Sequence, residues 1–512
     1  MQMRKLVRGL VQCGLAMSIA GGLTLAHASK SDNTVNIDVG MPLVNAGDMY
    51  FSPTTDTMML AYVTTDGLLY SDPNTGELKP ALAKAWRQVN DTTLEFDLRD
   101  DIVFHDGSKF DADDVVYTFA YIKKTTFPAN SRYSWIASAE KVSQYKVRVH
   151  TTKPYAAAAA SLMNIAIWPN GVMEQYSDPK EFGKHLIGTG PYKLESFEAG
   201  KNLVLRRNDN YKLTNTKHMP KVERINIREV KDRQTQLAEL MAGQVDFIFD
   251  VNKDQAENLK GMPGIKIATG DSTRFIYLAF DAAGRSGADN PMTKLEVRQA
   301  LAYAIDRQAI AKAMDPGGAA AVINSFCVVP QIGCTDDVKT YNYDPAKAKA
   351  MLAKAGYANG FELKVSTYGG YKGFAESLMG YLQAVGVKAS VNYVTIAAYR
   401  KMRSAGELQA AVGQWSNGGE SDVAMTLAYF LQGGGNDYSG DKTMNQMAID
   451  SAGIMDSAKR KTALNQVMQR IADNAYILPL FRLTPIYASN DKLNFNAKHR
   501  TGVPALDTLE WK

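Results

Sequence analysis

Chemistry-bearing residues concentrate in GQWSNGGESD, residues 413–422. An indole face at Trp415 is followed within seven positions by the amide of Asn417, two glycines, and the acids Glu420 and Asp422. Such a set can hold an apolar group and a cation together, the first on the ring and the second on a carboxylate. The same residues also suit an ordinary loop over a packed indole. Asp422 stands directly before VAMTLAYFL (423–431), where a helix N-cap belongs. A second stretch, GGGNDYSG (433–440), presents Asn436 and Tyr438 among glycines that permit close approach to a ligand, or that make an exposed turn.

Patterns for turnover are missing. The chain has no G-x-S-x-G, H-E-x-x-H or G-x-G-x-x-G, and Gly188-Thr189-Gly190 runs into Pro191. GNDYSGDK (435–442) falls short of a phosphate loop, because Asp441 stands where Gly-Lys must begin and would turn a carboxylate on the phosphate. Beyond the N-terminal segment the histidines at 105, 150, 185, 218 and 499 are scattered without ligand spacing. Neither a cofactor nor a metal site is expected. Binding is favoured over an exported hydrolase, the remote alternative.

The elements that would position these residues alternate strand and helix. Leu94, Phe96 and Leu98 alternate with polar residues as in a half-buried strand, and Asp111 with Asp114 has capping-box spacing for a helix over 112–124. RINIREV (224–230), a helix capped by Asp232 and closed at Gly243, and VDFIFD (245–250) form one βαβ unit. FELKVSTYG (361–369), a helix to Val385, and VKASVNYV (387–394) form another. Asp344-Pro345 begins a helix that Gly356 follows, and KLEVRQALAYAIDRQAIAKAM (294–314) reads as one amphipathic helix with Val297, Leu301, Ala304 and Ile305 on its stripe.

Arg4, Lys5 and Arg8, an apolar run from Leu10 to Ala26, and Ala26-His27-Ala28 are expected to be a signal peptide cleaved after Ala28, which places the protein in the periplasm. Cys327 and Cys334 are then expected to form one local disulfide. The whole chain carries 58 Lys+Arg against 53 Asp+Glu; without the three leader residues the balance is 55 to 53, a net of +2, which is no footprint for nucleic acid. A chain this long divides into at least two lobes.

Longer blocks carry a family resemblance. GLLYSDPNTGELKPALAKAW (67–86), LEFDLRDDIVFHDGSKFDADDVVYTF (94–119), GTGPYKLESFEAG (188–200), AELMAGQVDFIF (238–249), LEVRQALAYAIDRQAI (295–310) and YDPAKAKAMLAKAGY (343–357) resemble, in order, the blocks of extracellular solute-binding protein family 5, which serves peptide and nickel ABC transporters. The resemblance implies an α/β, two-lobed periplasmic-binding-protein fold of type II with the ligand cleft between lobes. Expected parts are a first lobe over 29–75, 185–285 and 480–512, an inserted subdomain over 76–184, and a second lobe over 286–479. It implies a monomer that captures a small peptide or peptide-like solute and hands it to a membrane permease. An opine, glutathione, a sugar conjugate, haem or a nickel chelate is the alternative solute; nickel is disfavoured because no histidine falls near 413–440. In the family's peptide binders a Trp and a following aspartate hold the α-amino group. Trp415 matches the Trp, the usual Asp-Pro is missing, and the stretch is closer to the Gly-Glu-x-Asp variant of glutathione-type binders. Tyr50 falls where the first ligand-contacting loop runs, and Arg132 in SRYSWIAS, within the inserted subdomain, suits either a ligand's carboxylate end or a plain surface covering.

Overall fold

A computed structural model of the chain describes residues 28–43, 50, 55–72, 75–124, 133–314, 321–329, 331–416, 422–498, 502 and 504–512. The expected signal peptide lies outside these residues except for Ala28, which opens a short helix, Ala28–Ser31.

Two large mixed sheets organise the molecule. The first has seven strands in the order Ile265–Thr269, Ile486–Asn490, Phe247–Phe249, Thr34–Val39, Arg224–Glu229, Asn202–Arg207 and Tyr192–Glu198. The second has five, in the order Lys388–Val394, Glu362–Tyr368, Ala410–Trp415, Phe275–Phe280 and Ile477–Arg482. A four-stranded antiparallel sheet, Ala83–Asn90, Thr93–Leu98, Lys146–Thr151 and Ile136–Ser143, stands beside the seven-stranded one. Both expected βαβ units form. Glu362–Tyr368 lies parallel to Lys388–Val394, whereas Arg224–Glu229 and Phe247–Phe249 are parallel with Thr34–Val39 between them.

Local signals account for the helices. Asp111 accepts from the Asp113 N–H and Asp114 closes the capping box of Ala112–Ile122. Pro345–Lys354 starts on Asp344, and Gly356 follows it at φ 94°. The stretch 294–314 is not one helix. It divides into Leu295–Ala304 and Arg307–Met314, with Ile305 extended between them. Asp306 causes the break, since its carboxylate takes the Ala309 N–H and starts a new helix.

Alternation along the strand Phe275–Phe280 covers both faces of the five-stranded sheet. Ile276, Leu278 and Phe280 pack on Val297, Leu301 and Leu378, while Phe275 and Tyr277 pack on Phe326, Phe430 and Leu464. The chain changes from the seven-stranded to the five-stranded sheet at 270–274 and returns at 483–485, so Phe275–Phe280 and Ile477–Arg482 both pair in the second sheet. The first change thus comes ahead of the expected boundary at 285, because this strand's pairing partners are Ala410–Trp415 and Ile477–Arg482.

Candidate ligand-binding cleft

The registers show where a site can form. Phe249 pairs with Tyr487 and Thr269 with Ile486, so the carboxyl end of Phe247–Phe249 abuts the crossing segments. In the other sheet Phe275 pairs with both Trp415 and Arg482, which brings the carboxyl end of Ala410–Trp415 to the same place. Parallel strands of both sheets therefore aim their carboxyl ends at the crossings, where open α/β sheets hold ligands. The crossings are clasped: Gly270 N–H donates to Pro485 O at 2.8 Å, Leu483 N–H to Arg274 O at 2.9 Å, and Ser272 Oγ to Leu483 O at 2.7 Å. Gly270 has to be glycine, since a Cβ there would stand 2.7 Å from Pro485 Cγ and 2.8 Å from Tyr487 Cε2. Two further contacts join the bodies away from the crossings, Ala156 N–H to Ala452 O at 2.9 Å and Lys253 Nζ to Lys312 O at 3.1 Å.

Charges of both signs meet at the convergence. Asp250 ends the strand Phe247–Phe249 in the left-handed region at φ 57° and stands 3.4 Å from Arg274 Nη2. That nitrogen also donates to Gly502 O at 2.9 Å. Arg274 Nε and the Tyr487 hydroxyl are buried without a hydrogen-bond partner among the described residues. Tyr371, just after Glu362–Tyr368, donates to Gln414 Oε1 at 3.0 Å, and burial raises its pKa. Arg482 pairs with Asp271 at 2.9 Å, both partly exposed. Buried polar groups are nearly always bonded, so this guanidinium nitrogen and this hydroxyl beside Asp250 are exceptions among the described residues.

Trp415, expected at the site, lies at the strand end facing the crossings. Its Nε1 donates to Thr426 Oγ1 at 2.9 Å, and its ring stacks on Tyr429 at 4.9 Å with Phe430 edge-on at 4.8 Å. It is packed and half-buried at once. Asp422 is 1% exposed and held by a fork from Arg460 at 2.7 and 2.8 Å, while its Oδ1 also takes the Ala424 N–H at 2.8 Å. The Cys327–Cys334 disulfide is formed, and its loop flanks this acid through an Ile332–Asp422 bridge and a Val423 N–H to Ile332 O bond of 3.1 Å. Asn417, Glu420 and Arg132 lie outside the described residues. Tyr50 is 0% exposed, donates to Ala166 O at 2.7 Å, and packs edge-on against Trp168 and Tyr133. Asn436 and Tyr438 line a cavity at the opposite end of the five-stranded sheet, where Phe280 pairs with Ala410.

Asp250, Arg274, Tyr371, Gln414 and Tyr487 were not singled out from the sequence. Asp250 and Tyr371 had a usable signal, since each follows a strand of a βαβ unit at its carboxyl end. Arg274 and Tyr487 had none, because their meeting depends on two crossings far apart in the chain.

Known proteins match this architecture. A family model described as bacterial extracellular solute-binding proteins, family 5 Middle, matches residues 77–437. Heme-binding protein A of Haemophilus influenzae is 30% identical over 378 residues, 66% of each chain. Glutathione-binding protein GsiB of Escherichia coli is 28% identical over 446 residues, 83% of each chain. The crystal structure of the ABC transporter substrate-binding protein CtaP from Listeria monocytogenes superposes with a TM-score of 0.82 at 21% identity, covering 93% of this chain and 99% of that one. The two sheets are thus the two lobes of a type II binding-protein fold, and among the described residues no helix is long and apolar enough to cross a membrane. With the family model matched over most of its length, this chain belongs to the bacterial extracellular solute-binding proteins of family 5.

Proposed function

We propose that this chain is the solute-capturing component of an ABC importer, and that its solute is a small peptide or peptide-like zwitterion of the glutathione class. One observation carries the reading: Asp250 and Arg274 stand together at the converging strand ends, with Arg274 Nε and the Tyr487 hydroxyl beside them without a hydrogen-bond partner among the described residues. Asp250 takes an ammonium group. The free edge of Arg274 and the Tyr487 hydroxyl donate to a carboxylate. Charge-assisted bonds of this kind gain strength in a closed, partly dry cleft. The glutathione-binding relative supports this solute class. Export by a signal peptide ending at Ala28, release into the periplasm as a monomer, and delivery to a membrane permease complete the role. The first lobe comprises 29–75, 185 to the first crossing, and the segment after the second; 76–184 is its inserted subdomain, and the second lobe lies between the crossings.

Haem is the second reading, favoured by the relative at 30% identity. Its propionates would engage Arg274, but it offers no cation to Asp250. Titration calorimetry with glutathione, dipeptides, tripeptides and haem separates the two. Asp250→Asn is expected to weaken a zwitterionic solute by about tenfold or more and to leave haem unaffected. A bound solute whose affinity is unchanged in both Asp250→Asn and Arg274→Gln would place the site elsewhere.

A further inference from the structure

Away from the crossings, the inserted subdomain meets the second lobe at a short strap, Pro154-Tyr155-Ala156. The strap belongs to the first body, where the Tyr155 and Trp135 rings lie 5.4 Å apart and Ala158 joins the core. The helix Lys442–Gly453 belongs to the second, with Met444 and Ala448 in its core. The Ala156 N–H crosses to Ala452 O at 2.9 Å, its one acceptor among the described residues. Gly453 stands beside this bond, since a Cβ there would lie 3.4 Å from Pro154 O.

Both sides are shaped for this contact. The last carbonyls of a helix have no partner within it, and a left-handed residue past the end often closes them. Here the chain leaves the helix extended, with Ile454 at φ −78° and ψ 109°, so that closure is not made. Arg460 Nε takes Ser451 O at 3.3 Å from within the lobe, and Ala156 takes Ala452 O from the other lobe. On the strap, Ala158 N–H returns to Tyr155 O at 3.0 Å, and Ala157 at φ −85°, ψ 6° has the third-position conformation of a type I turn. Ala156 is the second residue of that turn, whose N–H the turn itself does not use.

We propose that the strap is an interlobe latch: the first lobe caps a helix end of the second, so closure draws on a contact that touches no solute. Opening the cleft breaks the Ala156–Ala452 bond, and the latch thereby slows solute release. The latch rests on the solute-capturing reading above, and on no particular solute. Ala156→Pro tests it with little local strain, because proline suits the second position of a type I turn, while the N–H is lost and a ring carbon faces Ala452 O. Gly453→Leu tests it from the other lobe by driving a side chain against Pro154, and serves should Ala156→Pro not fold. The first readout is residue-resolved hydrogen exchange of the full chain, with and without excess glutathione. The Ala156 N–H should exchange about fivefold or more slower than in the unfolded chain. Gly453→Leu should abolish this, while Ala158 and Ser161, whose N–H groups bond Tyr155 O and Ala157 O inside the first lobe, keep their protection. The second readout is calorimetry with glutathione. Each variant should weaken binding about three- to tenfold, the worth of one neutral hydrogen bond, and the double variant no more than either alone. Ala156→Ser, which keeps the N–H, should bind like the parent. Ala156 exchanging at the unfolded rate under both conditions, protection unchanged in Gly453→Leu, or additive losses in the double variant would each overturn the latch. Glutathione that gives no heat with the parent counts against the solute class proposed above, and the exchange then decides the latch alone.

Discussion

Asp422→Asn gives the sharpest test of what the acid after Trp415 does. Its carboxylate makes two bonds to Arg460, at 2.7 and 2.8 Å, with the Asp side chain 2% and the Arg side chain 6% exposed. The amide keeps an oxygen for the Ala424 N–H, so the helix start survives and only the ion pair is broken. Removing one partner of a buried pair strands the other charge and costs about 3–5 kcal/mol. That should lower the melting temperature by about 3–5 °C in a chain of this size. The assay is guanidinium unfolding of the parent, the single variant and Asp422→Leu/Arg460→Met. The double variant should recover most of the loss, because an apolar pair replaces the charges without an orphan. A single variant that unfolds within about 1 kcal/mol of the parent yet no longer binds solute would refute this reasoning, and would assign the carboxylate to the ligand.

Acid sensitivity should come in part from His105. Its Nε2 bonds Gly190 O at 3.0 Å, its Nδ1 accepts from the Gly188 N–H at 3.3 Å, and burial pushes its pKa down to about 4. The unfolded chain takes up this proton near pH 6.5, so stability is lost as pH falls from there to about 4, by about 3 kcal/mol in all. His105→Gln should flatten that part of a stability-against-pH curve; an unchanged slope would remove His105 from the account. Gly190→Ala puts a Cβ 2.5 Å from both Thr64 C and Val63 O, and should cost about 3 kcal/mol or more in denaturant unfolding. Wild-type stability in that variant would contradict the close packing of this bend on the end of the helix Thr55–Thr64. Replacing Cys327 and Cys334 by serine opens a short loop and should cost about 2–3 kcal/mol, measured against the parent without reductant.

Much was legible without coordinates, since its cause is local. Alternation at Leu94, Phe96 and Leu98, the Asp111–Asp114 box, the Asp344-Pro345 start and the closing Gly356 are each decided within a turn or a strand, and all formed. The helix break at Ile305 was also local, but the apolar stripe runs through it and hides the cap at Asp306. The ordered family blocks carried the two-lobed fold and the binding role. The partners of the polar side chains were not legible. Asp422 meets an arginine 38 residues on, and Tyr50 packs on Trp168 and Tyr133 in the core. The cleft itself joins Asp250, Arg274, Tyr371 and Tyr487 from four separated segments, because two crossings bring the carboxyl ends of both sheets together. Strand and helix periods and caps depend on neighbours a few residues away, so the sequence by itself determined the elements and the kind of protein. Which charge faces which depends on sheet pairing across hundreds of residues, and only the tertiary structure decided that.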